Sequence, residues 1–335
     1  MRCPTSFNFS VTTMPDIRRE PILTETFDSA QVFRPPPGST YIYGINHEDR
    51  SGHVAAWRTS AVDIKLIEIS QENRATFRAS HSESEFFLRS TTSLTKLFDG
   101  VSPNGRVYVD MTGLSHPVWA GILRAALSAR LEVLAVYVEP NKYSRSTAPV
   151  EGQIYDLSMR ITGIAPMPGF AWISTTASDF LFVPLLGFEG ARLRHVIEQV
   201  QPGAGRILPV IGVPGFKPWY VFETYAGNRA ALDEEDAWAA VEYAPANCPF
   251  SCYYLLQDIA RRNPLTPLKV AMIGTKPHAL GAILFAITNP GRIELVYDHP
   301  IRKEGRTFGA DRLLVYHVSA IAGGAAVPSA VRAMA

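Results

Sequence analysis

Ten short apolar, β-branched runs recur along the chain, each followed by Gly, Pro or Asn and, in most cases, by a helical stretch. They are YIYGI at 41–45, DIKLIEI at 63–69, RVYVDM at 106–111, EVLAVYV at 132–138, FLFVPLL at 180–186, RILPVIGV at 206–213, VEYA at 241–244, LKVAMI at 268–273, RIELVY at 292–297 and RLLVYHV at 312–318. Near-continuous apolar strands are those buried on both faces. Strands alternating with helices predict βαβ units and a mostly parallel sheet. Between the runs, helices are expected at 116–131, 190–200, 248–262 and 276–287. Pro117 suits a first helical turn, where a missing N–H does little harm. Asn247 suits an N-cap, and Pro264 and Pro290 follow helix ends. The stretch 83–100 also reads as a helix.

The fold class that follows is α/β: a mostly parallel sheet flanked by helices, in two α/β halves. With 335 residues the chain has room for about two domains. Residues 1–39 read as an irregular arm carrying RPPPGS, 40–140 as the first half and 141–179 as a polar connecting segment. Residues 180–320 read as the second half, and 321–335 as a tail rich in small residues. A hydrophobic content of 47% excludes a disordered chain. With 32 basic and 31 acidic residues the net charge is +1, so no global field indicates nucleic acid as a partner. Three cysteines are too few for a disulfide framework or a four-cysteine zinc site, which fits a reducing compartment. No signal-peptide core opens the sequence, and the apolar stretch 279–287 is far short of the ~20 residues that span a bilayer. A cytoplasmic protein without a membrane partner is expected.

In open parallel sheets, ligands bind beyond the carboxyl ends of the strands. The loops that follow strands therefore carry the candidates. Gly274-Thr275-Lys276-Pro277 joins a strand to an apolar helix. Gly permits a sharp turn and close approach, Thr a hydroxyl contact and Lys a point charge, beside the free N–H groups of a helix start. The turn predicts an anion or phosphate cradle with Lys276 as its main side chain, although Walker A spacing is absent. Asp110, Thr112, Gly113, Ser115 and His116 form the matching loop of the first half, suited to a hydroxyl or ribose. Thr112 and Ser115 equally suit helix caps. Arg302 and Arg306, in the basic loop after 292–297, can close over an acidic ligand, since guanidinium groups pair with phosphate in a bidentate way. Arg50 and Ser51 belong to the polar run His47–His53, which lacks HExxH spacing and assigns no metal. Asp110, Asp298 and His299 are the candidate acids or bases. Cys248 and Cys252 suit buried small apolar positions, or a nucleophile if a base approaches. The aromatic run 216–222 can stack a base or cover a sheet edge. No cofactor can be named from these motifs, and GxGxxG and GxSxG are both absent.

VDMTGL at 109–114 together with IGTKPHALGA at 273–282 resembles the nucleotide-sensing Rossmann-like domains of prokaryotic defence systems, the CARF group. The resemblance implies a module that recognises a phosphate-bearing nucleotide through Thr112, Gly113, Gly274, Thr275 and Lys276. It covers about two dozen residues, and no effector domain is expected after the last strand. Three functions stay open. One is a nucleotide- or phosphate-ligand-binding sensor or effector subunit, with a protein partner or a second copy of itself. Another is a hydrolase or transferase acting on a nucleotide or phosphorylated metabolite. The third is a structural assembly subunit.

Overall fold

The structure, a computed structural model, describes residues 23–102, 105–150, 152–171 and 179–322. Strands β1 (Thr24–Phe27), β2 (Thr40–Gly44), β3 (Lys65–Ser70), β4 (Thr76–Ala79) and β5 (Glu85–Phe87) lead to a short helix α1 (Thr91–Thr95). Next come β6 (Arg106–Asp110), α2 (His116–Ser128) and the long β7 (Glu132–Tyr143). Four short strands follow: β8 (Arg145–Val150), β9 (Gln153–Tyr155), β10 (Ser158–Ile161) and β11 (Ala165–Pro166). Strands and helices then alternate as β12 (Leu181–Leu185), α3 (Gly190–Val200), β13 (Val210–Gly212), α4 (Tyr220–Glu234), β14 (Glu242–Ala244), α5 (Pro249–Arg262), β15 (Leu268–Met272), α6 (Lys276–Thr288) and β16 (Ile293–Tyr297). β17 (Pro300–Arg302), β18 (Thr307–Tyr316) and α7 (Ser319–Ala322) come last.

Two large sheets form, in the orders β1-β18-β7-β6-β2-β3-β4-β5 and β11-β16-β15-β12-β13-β14. Their centres are parallel: β2, β3, β6 and β7 in the first, β12 to β16 in the second. Their flanks are antiparallel, with β18 and β1 beyond β7, β4 and β5 beyond β3, and β11 beyond β16. The architecture is therefore α/β with mixed sheets, where strand–helix alternation alone predicts a mostly parallel one. Connections such as 71–75, between β3 and β4, are too short for a crossover helix and force the antiparallel direction.

Period-two alternation explains the apolar runs. In β2, Ile42 points into the core shared by the sheets while Tyr41 and Tyr43 pack on the opposite face with Trp57 and Phe33. In β15, Val270 and Met272 face the shared core and Ala271 faces α3 and α4. Helices α2, α5 and α6 fill the space between the sheets, so α6 is buried almost all round. No helix among the described residues is long and apolar enough to cross a membrane.

Several local expectations change. Residues 83–100 are not one helix: Phe86 alternates inward in β5, and Ser90 then caps the five-residue α1 by accepting the Ser93 N–H at 3.1 Å. Thr91, Thr92 and Thr95 lower the helix propensity there. The segment 141–179 continues β7 and adds β8 to β11, so it is more structured than its polar composition suggests. From Tyr220 the aromatic run enters α4. The cap of α5 is Cys248, whose Sγ accepts the Ser251 N–H at 3.4 Å, while Asn247 donates to Glu139 at 3.2 Å. Most of the arm, residues 1–22, and of the tail, residues 323–335, lies outside the described residues; 24–27 form β1 and 319–322 form α7.

Two close backbone approaches give tests of this packing. A Cβ on Gly113 would lie 1.7 Å from the carbonyl oxygen of Gly44, where the loop after β6 crosses the end of β2. Gly113→Ala is expected to destabilise the protein by about 3 kcal/mol or more, the scale of a severe core clash. An unchanged urea midpoint would show that the two strand ends do not meet. In α6, His278 is fully buried, with Nε2 3.0 Å from the Pro245 carbonyl and Nδ1 unpartnered, and burial pushes its pKa down to about 4. The unfolded chain takes up that proton first as pH falls below the ordinary histidine range near 6.5. Stability present at pH 7 is thus lost between about pH 6.5 and 4, by roughly 3 kcal/mol in all. Urea midpoints measured across that window, with His278→Gln flattening the slope, check the sign.

Candidate functional site

The carboxyl ends of the parallel strands in both sheets face one cavity, offering about 70 Å³ to the centres of water-sized molecules. That is roughly five times what one buried water needs. Five cationic side chains line it: Arg50, Arg192, Lys276, Arg302 and Arg306. Carboxylates compensate only part of this charge. Glu48 accepts from Arg50 Nε at 2.8 Å, from Arg306 and from the Thr307 hydroxyl at 2.8 Å. Burial raises the Glu48 carboxyl, but Arg50, Arg306 and Lys276 outweigh it and hold the group well below the usual carboxylate range. Arg192, in the first turn of α3, makes a bidentate pair with Asp298 at 2.7 Å on both arms and reaches Glu189 at 3.4 Å.

Lys276 opens α6 and is buried, its Nζ donating to the carbonyls of Met111, Thr112 and Leu114 at 2.6, 2.8 and 2.9 Å. Burial and the guanidinium groups of Arg50, Arg306 and Arg302 press it towards neutrality. Three acceptors require three N–H donors, however, and only the ammonium has them. Its donors are all occupied, so it joins the loop after β6 to the start of α6. The expectation that Lys276 is the main free anion-binding side chain is corrected accordingly.

Other groups are left open to the cavity. Arg302, on β17, has no hydrogen bond or ion pair among the described residues. Arg306 is buried, and its Nε has no partner. His116, at the start of α2, has Nδ1 3.2 Å from the Tyr297 hydroxyl and Nε2 unpartnered. Burial, then Arg302, Lys276, Arg192 and Arg306, keep its pKa well below the ordinary value, so the ring is neutral at pH 7. An aromatic wall faces these groups. Phe188 sits edge-on to Tyr143 at 5.3 Å and to Tyr220 at 5.1 Å, and Tyr137 and Phe216 continue the surface.

Gly274, Thr275, Lys276, Arg302, Arg306, Arg50 and His116 all line the cavity. Thr275 Oγ1 also caps α6, accepting the His278 N–H at 3.3 Å, and donates to the Ala246 carbonyl at 2.7 Å. Of the first-half loop only His116 lines the cavity; Asp110, Thr112, Gly113 and Ser115 do not. Asp110 accepts from the Tyr41 hydroxyl at 3.1 Å and from the Thr112 N–H at 2.9 Å, and Thr112 Oγ1 accepts the Val138 N–H at 3.0 Å. Ser115 caps α2 with its backbone only, its N–H donating to Glu72. Asp298 is occupied by Arg192, and His299 does not line the cavity. In the run His47–His53, His47 is exposed beside Glu304, while His53 is buried 3.0 Å from the Tyr41 hydroxyl. Cys252 is buried with its thiol pushed up by burial, and neither it nor Cys248 lines the cavity.

Sequence reasoning missed Arg192, Glu48 and, in the aromatic wall, Tyr137, Tyr143 and Phe188; Phe216 and Tyr220 belong to the run 216–222 that it singled out. Arg192 leaves a trace: it stands with Leu193, Val196, Ile197 and Val200 on the apolar stripe of α3, where an unpaired charge would not be tolerated. The role of Glu48 is not legible from Arg50 nearby, since its other partners, Arg306 and Thr307, lie 258 and 259 residues away. Compared with known proteins, the chain matches no family model and no curated sequence.

Replacing the lysine tests the bridge. Lys276→Met leaves three buried carbonyls without their donor and is expected to cost about 3 kcal/mol or more of folding stability. A melting temperature equal to that of the wild type would show that the ammonium does not hold the two loops together.

Proposed function

We propose that the protein binds a phosphate-bearing small molecule of the nucleotide class in this cavity, as a sensor or as a subunit of a larger effector. The observation that carries this reading is the set of unsatisfied donors on one wall: the free guanidinium of Arg302, the Arg306 Nε and the bare Nε2 of His116. The Arg306 and His116 nitrogens, buried without partners, are costly unless a ligand satisfies them. The aromatic wall opposite offers faces and edges for a base. The strand orders support the reading too. β14-β13-β12-β15-β16 has the order 3-2-1-4-5 of a doubly wound, Rossmann-like sheet, whose ligands sit at the switch point between the first and fourth strands. The loops after β12 and β15 are the ones that bring Phe188, Glu189 and Gly274–Lys276 to the cavity. The likeness of residues 109–114 and 273–282 to CARF-type sensors points the same way, although here the first loop contributes backbone carbonyls and Lys276 is tied to them.

Binding without turnover is favoured over catalysis because Asp110, Asp298 and His299, the candidate acids and bases, do not line the cavity. Thermal shift and calorimetry against nucleoside mono- and diphosphates and cyclic nucleotides, with product analysis of the same mixtures, test this directly. Stabilisation by mass action with no product formed supports a sensor, whereas conversion of the bound nucleotide would establish an enzyme. Arg302→Ala is expected to weaken the binding nucleotide by about 1.5–3 kcal/mol, the scale of a charge-assisted hydrogen bond. The melting temperature of the free protein should change little, because that side chain makes no hydrogen bond or ion pair among the described residues. Unchanged affinity would take Arg302 out of the site.

A further inference from the structure

We infer that an anion entering this cavity is bound together with a proton, which converts the neutral imidazole of His116 to imidazolium. This rests on the anion-binding reading above and adds how the site is regulated: affinity for a fixed anion rises as pH falls. The geometry carries it. His116 is 2% exposed, and its Nε2 has no partner although the residue lines the cavity. The other ring nitrogen meets the Tyr297 hydroxyl at 3.2 Å. A tyrosine hydroxyl can donate to a neutral Nδ1 or accept from a protonated one, so the ring has a partner in both charge states. Trp119 at 5.4 Å and Tyr297 at 4.9 Å hold the ring in place.

Four cations from different parts of the fold act on the imidazole. Arg302 comes from β17, Lys276 from α6, Arg192 from α3 and Arg306 from the turn before β18. On β16 its neighbour is the Tyr297 hydroxyl, whose ring His299 touches at 4.8 Å. No carboxylate is among the groups that act on it most strongly; Asp298 lies against Arg192 and Glu48 against Arg50 and Arg306. The free site is thus a neutral imidazole held among cations that repel its proton. A bound dianion cancels two of those charges and presents an oxygen acceptor, reversing both effects. The balance is simple. Neutral imidazole, one solvent proton and the anion give an imidazolium–anion pair, and the buffer acid loses the proton.

Sulfate is the diagnostic probe, because it carries no proton to exchange near neutral pH. Calorimetric titration of sulfate into the full chain, in two buffers of different ionisation enthalpy, reads the protons taken up. The expected result is close to one proton per site, with the dissociation constant falling about tenfold per pH unit from pH 8 to 7. His116→Gln, which keeps a polar side chain but cannot titrate, should still bind sulfate with uptake near zero. If that variant does not fold, the histidine ring resonances of the wild type decide the matter, and His116, assigned by its response to Tyr297→Phe, must become imidazolium on saturation. Sulfate binding with no proton uptake, uptake unchanged in His116→Gln, or a ring that stays neutral overturns the inference and leaves the anion site standing. If sulfate, inorganic phosphate and adenosine monophosphate all fail to bind, the anion-binding reading falls, and the inference with it.

Discussion

One ammonium group holds the two sheets in register. Lys276 opens the helix that follows β15 of the second sheet and donates to three carbonyls of the loop after β6 in the first. A hydrophobic core is tolerant of small slides between layers, whereas three short hydrogen bonds to one cation are not. The cavity lies where this clasp forces the carboxyl ends of the strands to meet. The glycines around it follow from the same closeness. A Cβ on Gly274 would lie 2.6 Å from the Leu186 carbonyl oxygen, and one on Gly187 would lie 2.8 Å from that of Ile273.

Around the clasp, positive charge is neutralised unevenly. Asp298 fully occupies one face of Arg192, and Glu48 serves Arg50 and Arg306 together. Glu48 acts as a resident counter-ion, allowing guanidinium groups to stay charged inside the protein before any ligand arrives. The groups left over differ in kind: a half-buried arginine, the Nε of a buried one and a neutral imidazole. Such a set is preorganised where it is buried and adaptable where it is exposed, which lowers the ordering cost of binding.

Local sequence made the strands legible because each central strand is apolar on both faces, as Tyr41 to Tyr43 and Leu181 to Leu185 show. The cavity loops were legible for a related reason: Gly274-Thr275-Lys276 must sit at a strand end and open a helix. The role of Lys276 was not, since its carbonyl partners lie more than 160 residues away. Asp110 misled in the opposite direction. At a strand end it looks free, but Tyr41, next to the middle of the neighbouring β2, takes its carboxylate. The short edge strands were invisible for want of pattern. Residues such as Pro300–Arg302 gain strand geometry only by pairing with Ser158–Ile161.

The position of β18 also governs when the protein can fold during synthesis. This strand inserts between β1 and β7, pairing Thr24 with Tyr316 and Tyr143 with Thr307. Both neighbours are made long before it. At ~5–20 residues per second, β7 waits roughly 10–30 s with an open hydrogen-bonding edge, and β1 waits longer with no partner in its sheet. An open edge of parallel-type apolar strands is a template for pairing with another chain. The ribosome-bound protein therefore passes through an interval in which its first sheet is present but unclosed. Arg306 and Thr307, which meet Glu48, arrive with the segment that closes it. Completion of the sheet and completion of the cationic cavity are a single event, so a chain arrested before residue 306 has neither.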